Sequence, residues 1–232
     1  ISPRLHGLLV SDPALRKDPR AAAFYYQDDG EPLPVGHRLR NPALAALLKD
    51  IAKRGSDAFY TGANARSLVL QVNTHPTNPG RISLNDLEGY QPRERDAICT
   101  LWQKRYQVCG FPPPSSGHIT QMQILGMLGQ LPTVQPLDQG VPSVEFLHRY
   151  TEAARLAYAD RAKYLADPDF VPIPGRTWNS MLAPSYLKQR AALIGPRSMG
   201  TAEAGKPGEM PIVFAPQAAQ PEYGTSHISI VD

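Results

Sequence analysis

Long apolar runs and clustered basic residues are both missing from this sequence of 232 residues. No apolar run approaches the roughly 20 residues that a bilayer-spanning helix needs, so no membrane span is predicted. The 24 basic and 21 acidic residues give a net charge of only +3, and no basic run stands out. Nucleic-acid binding is therefore not expected.

An initiator methionine and a signal peptide are also missing, since the sequence begins at Ile1. The last strand-like run stops at Asp232 without a closing element. We therefore expect an internal piece or a processed part of a longer polypeptide, whose activity needs residues outside this sequence. A signal peptide could have been lost with the N-terminus, so its absence excludes nothing about secretion.

Proline, in contrast, is abundant, with 24 residues or about double the ordinary usage. This composition predicts many fixed turns and extended connectors. Asp12 and Asp18 each precede a proline and predict short helical turns over 13–17 and 19–24. Asn41 is the predicted cap of the first long helix, which Gly55 ends.

Further helices are predicted where a capping residue precedes apolar side chains at helical spacing. They cover 63–72, a short turn after Ser83, 118–128, 144–165 and 184–193. The longest begins after Ser143 and contains Asp160 next to Arg161. These two side chains resemble a catalytic pair, but an ion pair that holds the helix against a neighbour is the preferred interpretation.

A β-hairpin is predicted over 97–102 and 106–111, two β-favouring runs separated by three residues. If all three residues form the turn, Cys99 lies opposite Cys109, close enough for a disulfide. A two-residue turn shifts the pairing by one residue and leaves two free thiols. The sequence leaves both alternatives open.

Residues 112–117, Pro-Pro-Pro-Ser-Ser-Gly, follow the hairpin at once. Three prolines hold the backbone extended and rigid before the helix that starts near His118. The segment is either a stiff connector from strand to helix or a wall beside a binding cleft.

Residues 196–223 are rich in Pro, Gly, Ala and Glu and contain few large apolar side chains. Such a stretch cannot bury enough surface to order itself, so a mobile arm is expected. The arm lies directly before Gly224 and Thr225, where it would let a severed end move away.

Gly224 and Thr225 form a candidate self-cleaving junction. Glycine tolerates strained backbone angles, and attack of the Thr225 hydroxyl on the Gly224 carbonyl turns the amide into an ester that water can open. The freed α-amino group, with a reference pKa of about 7.7–8.0, can then accept the hydroxyl proton. The local pattern also fits an ordinary half-buried strand, since Ile228 and Ile230 alternate with a serine.

Four blocks, in this order and at this spacing, resemble the gamma-glutamyltranspeptidase family, also called gamma-glutamyltransferase. They are Leu-Arg-Asn-Pro-Ala-Leu at 39–44 leading to Asp-Ala-Phe-Tyr-Thr-Gly at 57–62, the proline-serine block at 112–117, Tyr-Ala-Asp-Arg-Ala-Lys-Tyr-Leu-Ala-Asp-Pro-Asp-Phe at 158–170, and Thr-Ser-His-Ile-Ser at 225–229. The match runs from about residue 35 to the end. Each string is weak alone, but four in order are a strong signal.

The resemblance implies an N-terminal-nucleophile hydrolase that is made as one precursor and cut into a large and a small subunit. The implied fold is α+β, part of a four-layer αββα sandwich, with this fragment mostly helical apart from a β-hairpin and a terminal strand. Residues 1–195 would be the C-terminal part of the large-subunit region. Residues 196–224 would be the flexible segment before the cleavage site, and 225–232 the start of the small-subunit strand.

By the same resemblance, Thr225 is the nucleophile. It would attack the γ-carbonyl of glutathione or another γ-glutamyl amide and pass the γ-glutamyl ester to water or to an amino-acid or peptide amine. The remaining segments of both subunits would be its partners, and no metal or organic cofactor is implied. A periplasmic or extracellular location is expected.

Two positions depart from the family pattern. Gly224 stands where several members carry an amide side chain, and His118 stands where a second glycine usually follows the proline-serine block. We expect neither change to abolish activity, although the first could alter the cleavage rate. The alternatives are a non-catalytic structural relative and a self-processing acylase that acts on another amide, such as a β-lactam side chain.

Overall fold

The structure is a computed structural model and describes residues 1–209. These residues form mostly helices with two small antiparallel hairpins. They divide into two compact units, Ile1–Pro92 and a second unit that begins at Arg93. No helix in this part of the chain is long and apolar enough to cross a bilayer. Gly224, Thr225 and the predicted terminal strand 225–232 lie outside the described residues.

The first unit is helical. Its elements are α1 (Pro3–Ser11), a 3-10 turn (Leu15–Lys17), α2 (Pro19–Tyr25), α3 (Pro42–Arg54), α4 (Asp57–Tyr60), α5 (Gly62–Asn73) and α6 (Leu84–Glu88). Helix α1 was not predicted from the turn-rich composition of the first 40 residues. It starts because the Ser2 hydroxyl accepts a hydrogen bond from a backbone N–H and proline fits the first helical position.

The predicted caps of the first unit are confirmed. Asp18 accepts hydrogen bonds from two backbone N–H groups of α2, and Asn41 accepts one from the backbone of Leu44 in α3. Ser83 forms a reciprocal capping box with Asp86 at the start of α6. These side chains replace the helical partners that first-turn N–H groups lack, so each helix begins where its capping residue stands.

The apolar face of α3 remains open to solvent in this chain. Leu44 is 49% and Leu48 is 56% exposed, although both belong to the apolar stripe of the helix. Burial in the first unit is concentrated elsewhere, at Leu9, Tyr26 and Ala58 among others, and the Tyr26 hydroxyl donates to the Leu9 carbonyl at 2.9 Å.

The second unit packs three helices around the larger of its two apolar clusters and carries both hairpins. Its elements are β1 (Ile98–Trp102), β2 (Tyr106–Gly110), α7 (Gly117–Leu128), β3 (Leu137–Asp138), β4 (Val141–Pro142), α8 (Val144–Tyr164), a 3-10 turn (Pro174–Arg176), α9 (Asn179–Leu182) and α10 (Pro184–Ala191). Met127 of α7, Leu156 of α8 and Leu187 of α10 belong to this larger cluster. Because α7 is buried along most of its length, it forms the centre of the unit.

The hairpin of β1 and β2 has the register that a three-residue turn predicts. Trp102 pairs with Tyr106, and Cys99 pairs with Cys109. The two cysteines form a disulfide, with Cα atoms 4.1 Å apart, so the alternative with two free thiols is excluded.

Candidate functional site

Residues 198–209, here called the run-up segment, belong to the described part of the arm that leads toward Gly224 and Thr225. The segment has no helix or strand, yet its backbone is hydrogen-bonded to side chains of α8 and α10. The attachments come from buried charged residues. This is the part of the described structure that lies nearest in sequence to the predicted junction.

Glu152, in the middle of α8, makes the first attachment. Its side chain is 1% exposed. One carboxylate oxygen accepts the backbone N–H of Met199 at 2.7 Å, and the other accepts the Ser198 hydroxyl at 3.1 Å. The Arg155 guanidinium donates to the same carboxylate at 3.2 Å and offsets its charge. A buried carboxylate satisfied in this way fixes the start of the run-up segment.

Asp160, two turns further along α8, makes the second attachment and is also 1% exposed. Its Oδ1 accepts the backbone N–H of Gly205 at 2.8 Å and lies 3.2 Å from Nη2 of Arg190. Its Oδ2 accepts the Tyr186 hydroxyl at 2.6 Å and the Gln123 amide at 3.0 Å. Asp160 therefore joins α7, α8 and α10 to the run-up segment.

Arg190 and Tyr164 hold the carbonyl groups of the same segment. The Arg190 guanidinium donates to the carbonyl of Glu203 at 2.8 Å and to that of Leu156 at 3.0 Å. The Tyr164 hydroxyl donates to the carbonyl of Gly205 at 2.6 Å. Both polar groups of the Gly205 backbone are thus paired, which removes the cost of placing this backbone against the helices.

The hydrogen-bond network around Asp160 does not offer a free general base. Burial, followed by the hydrogen bond to Asp160, raises the pKa of the Tyr186 hydroxyl far above its ordinary value, so this tyrosine stays a donor. Both oxygens of Asp160 already accept hydrogen bonds. Within residues 1–209, no three side chains of the metal-binding types lie together either. The network is suited to anchoring.

The preferred interpretation of Asp160 as one half of a structural ion pair is confirmed, but its partner is Arg190 and not the adjacent Arg161. The Nε of Arg161 instead donates to the Ser116 hydroxyl at 2.9 Å. This contact joins two of the four family-like blocks, 112–117 and 158–170. The Ser116 hydroxyl consequently caps no helix, although it stands directly before α7.

His118, one of the two departures from the family pattern, is 7% exposed at the start of α7. Its ring packs so closely on the hairpin that a Cβ at Gly110 would lie 2.6 Å from the imidazole. Burial lowers the pKa of this histidine below its ordinary value. His118 is therefore a neutral packing residue between β2 and α7.

The sequence did not reveal the anchoring role of Glu152, Tyr186 and Arg190. The expected flexible segment 196–224 is described only to Glu209, and the described part is attached at several points. Mobility of the remainder stays a prediction. The sequence did offer one signal for this role, a charged residue at a core-facing position of α8. A buried charge needs a polar or charged partner, so such a residue predicts an attachment.

The ionisation of Glu152 leads to a pH-dependent prediction. Burial disfavours its charged form, but the Met199 N–H, the Ser198 hydroxyl and the Arg155 charge outweigh burial and lower its pKa. Its stabilising contribution is complete above the unfolded-state pKa of about 4.3 and is lost as the pH falls through the folded-state value. At pH 7, Glu152→Gln is expected to lower the free energy of unfolding by about 1–3 kcal/mol.

The measurement is urea unfolding of the whole protein from pH 7 to pH 3. The difference between wild type and Glu152→Gln is expected to shrink toward acid, since the wild-type side chain also becomes neutral. Glu145→Gln is the matched control on the same helix, because the Glu145 side chain is 60% exposed and its pair with Arg149 contributes little. A Glu152→Gln effect that is the same at all pH values would contradict the attachment through an ionised Glu152.

The comparisons with known proteins agree with the four sequence blocks. The family described as Gamma-glutamyltranspeptidase matches residues 1–232. The chain is 35% identical over 204 residues to the glutathione hydrolase proenzyme of Escherichia coli (strain K12), covering 88% of this chain and 32% of that relative. It is 37% identical over 182 residues to the Acylase ACY 1 proenzyme of Pseudomonas sp. (strain SE83), covering 78% and 30%.

A solved structure also matches this chain. The gamma-glutamyltranspeptidase of Helicobacter pylori matches with a TM-score of 0.73 at 26% identity, over 85% of this chain and 54% of that chain. The mostly helical fragment with its small hairpins thus corresponds to a partial region of such structures. The chain belongs to the gamma-glutamyltranspeptidase family, within the N-terminal-nucleophile hydrolases. It spans about a third of the length of the curated relatives it matches.

Proposed function

We propose that the whole protein to which this chain belongs is a γ-glutamyl acyl-transfer enzyme. It hydrolyses glutathione and other γ-glutamyl amides, or transfers their γ-glutamyl group to an amino acid or peptide. The observation that carries this proposal is a family match that extends over residues 1–232 and so includes the block at 225–229. The relatives named glutathione hydrolase proenzyme support both the substrate class and synthesis as a precursor.

The first chemical step is cleavage of the chain at Gly224–Thr225. The Thr225 hydroxyl oxygen attacks the Gly224 carbonyl carbon, the bond from that carbon to the Thr225 nitrogen breaks, and an ester replaces the amide. Water then hydrolyses the ester, which leaves a carboxylate on Gly224 and a free α-amino group on Thr225. The amino group has a reference pKa of about 7.7–8.0, so a large fraction is unprotonated near neutral pH.

The second step uses the new terminus on the substrate. The α-amino group of Thr225 accepts the proton of its own hydroxyl while the oxygen attacks the γ-carbonyl of the donor. The leaving amine departs with a proton, and the γ-glutamyl group remains on Thr225 as an ester. Water or an acceptor amine then attacks this ester and restores the threonine. No metal or organic cofactor takes part in this scheme.

The rest of the site comes from segments outside this sequence. We assign to those segments the groups that bind the substrate α-carboxylate and stabilise the tetrahedral oxyanion. In the same scheme, residues 1–195 belong to the large subunit, 196–224 precede the cut, and 225–232 begin the small subunit. The complete protein forms a four-layer αββα sandwich, and its further layers cover surfaces such as the exposed apolar face of α3. It works in the periplasm or outside the cell.

A second candidate is a self-processing acylase with the same nucleophile and a different substrate. The observation that favours it is the 37% identity to the Acylase ACY 1 proenzyme. The two candidates differ in the acyl group that they accept. A γ-glutamyl donor carries an α-amino group, whereas a glutaryl donor lacks it.

The test compares a γ-glutamyl anilide with the glutaryl amide of the same aniline, using the whole protein. The γ-glutamyl compound is expected to have a kcat/KM higher by at least about a hundredfold, because a site built for the α-amino group leaves polar partners unpaired with the glutaryl compound. Faster turnover of the glutaryl amide would favour the acylase. Turnover of neither compound would favour a non-catalytic relative.

A further inference from the structure

We propose that His118, packed between the β1–β2 hairpin and α7, is an acid-sensitive latch. While its imidazole is neutral the hairpin stays on α7, and when the imidazole gains a proton the hairpin is released from the helix. The latch is separate from the chemistry proposed for Thr225. It holds whether or not the protein acts on γ-glutamyl amides.

The latch is built from direct contact between the imidazole and the hairpin. His118 is 7% exposed, and a Cβ at Gly110 would lie 2.6 Å from both Cγ and Nδ1 of its ring. Gly110 pairs with Ile98 across the hairpin, and Ile98 packs on the smaller apolar cluster, which contains Ile119 of α7. The hairpin therefore rests on α7 through Ile98 and through the ring of His118.

The hairpin and α7 offer no partner for an added proton. Nε2 of His118 is buried and has no hydrogen-bond partner among the described residues. The sequences of β1, β2 and α7 contain no Asp, Glu, Lys or Arg. Of their other titratable side chains, Tyr106 is 45% exposed at the far end of the hairpin, and both cysteines are joined in the disulfide. An imidazolium at this position would have no counter-charge on the elements that enclose it.

The start of α7 also disfavours a positive charge on His118. His118 is the second residue of the helix, and no side chain caps the backbone N–H groups of this first turn. The partial positive charge of a helix N-terminus opposes a cation placed there. A protonated His118 is therefore more stable in water than against α7, and release of the hairpin gives it access to water.

The helices packed on α7 do not supply the missing counter-charge. From α8, the Arg161 guanidinium donates to Ser116, two residues before His118, and adds a cation near this end of the helix. The α8 carboxylate that contacts α7 is Asp160, which bonds Gln123 more than one turn further along and is paired with Arg190 of α10. Helix α9 contains no charged residue.

The pH range of the latch follows from the ionisation of His118. Burial lowers its pKa below the ordinary value of 6.5, and no charged side chain of the described residues contributes to this lowering. Because the released histidine binds a proton more readily than the packed one, the packing is at full strength above about pH 6.5 and weakens as the pH falls through the lower folded-state value. Between pH 7.5 and pH 5, the equilibrium constant for release is expected to rise by about ten- to thirtyfold.

The disulfide makes the release reversible. A two-stranded hairpin is marginally stable in water by itself, so its cross-strand hydrogen bonds open once it leaves α7. Cys99 and Cys109 form the pair next to Ile98 and Gly110, and their covalent bond keeps the strands in this register. The hairpin is therefore expected to pack again on α7 when the pH returns to 7.5.

The test measures hydrogen exchange of peptides from 98–110 in the whole protein at pH 7.5 and pH 5, corrected for the intrinsic effect of pH on exchange. His118→Phe keeps an aromatic ring that cannot gain a proton. His37→Phe is the matched control, because His37 is exposed in the first unit. Wild type and His37→Phe are expected to exchange about ten- to thirtyfold faster at pH 5, and His118→Phe is expected to exchange equally at both pH values.

Peptides from α8 serve as the internal reference, because the pKa of Glu152 is lowered and this buried carboxylate stays ionised at pH 5. Their exchange is expected to change little over this range. Should His118→Phe fail to fold, His118→Gln also removes the charge and is expected to remove the pH dependence.

Three results would overturn the proposal. The first is equal exchange of the wild-type hairpin at both pH values. The second is a rise in the His118 variant as large as in wild type, because another group would then be titrating. The third is an equal rise in the α8 peptides, because the whole unit and not the hairpin would then be opening.

Discussion

Full-length protein with Thr225→Ala is expected to remain one uncut chain and to lose γ-glutamyl hydrolysis by at least about a thousandfold. Alanine removes the hydroxyl oxygen that would attack the Gly224 carbonyl, so no new N-terminus forms. The same oxygen would carry the γ-glutamyl ester, so the second step is lost as well. The measurements are a denaturing gel of the purified precursor and turnover of a γ-glutamyl anilide.

Two control substitutions test whether the effect of Thr225→Ala is specific to the hydroxyl at this position. Ser226→Ala removes the neighbouring hydroxyl and is expected to be cut, because only the residue after the scissile bond can form the ester. Thr225→Ser keeps a hydroxyl at the reacting position and is expected to be cut and to retain activity. Normal cleavage of the Thr225→Ala protein would refute the assignment of this residue as nucleophile.

Asp160→Asn is expected to have the largest effect on stability, lowering the free energy of unfolding by about 3–5 kcal/mol. The asparagine is nearly the same size but leaves the Arg190 charge unpaired, and the Arg190 side chain is only 6% exposed. Its amide NH2 also places a donor against either the Gly205 N–H or the Tyr186 hydroxyl, each of which donates to a different oxygen of Asp160. Urea and thermal unfolding of the whole protein measure the change.

Asp50→Asn is the matched control for Asp160→Asn. Asp50 pairs with Arg54 on the surface of α3, where both side chains are close to half exposed. Such a pair contributes about 0–1 kcal/mol, so its loss is expected to leave the unfolding midpoint nearly unchanged. Equal effects of the two substitutions would contradict the view that burial makes the Asp160 network important.

Local signals predicted much of the secondary structure. The carboxamide of Asn41, followed by Pro42, marks the start of α3 because both residues act within one turn of the chain. The sequence predicted the hairpin but left its register open, and the structure has the three-residue turn, which pairs Cys99 with Cys109. The start of a helix and the existence of a hairpin depend on residues that lie close together in sequence, so both could be predicted from the sequence alone.

The order of the run-up segment could not be predicted in the same way. Its composition lacks the apolar side chains that signal burial, and it is held instead through its backbone by side chains 13 to 47 residues away. Likewise, the neighbour of Asp160 in sequence is Arg161, whereas its partner in space is Arg190. On a helix adjacent residues point in different directions, so adjacency was a poor guide to pairing.

The candidate nucleophile was identified from sequence blocks and not from geometry. Thr225 lies outside residues 1–209, so its role rests on the family match and on the chemistry of a hydroxyl that follows a scissile bond. The structure contributes the attachments of the chain that leads toward it.

The most direct test of the account is the mass and N-terminal sequence of the chains in the purified, active product of the whole gene. Two chains are predicted, and the smaller one begins with Thr-Ser-His-Ile-Ser, residues 225–229 of this sequence. A single unbroken chain that still turns over glutathione would contradict the central claim that Thr225 becomes a terminus before it acts.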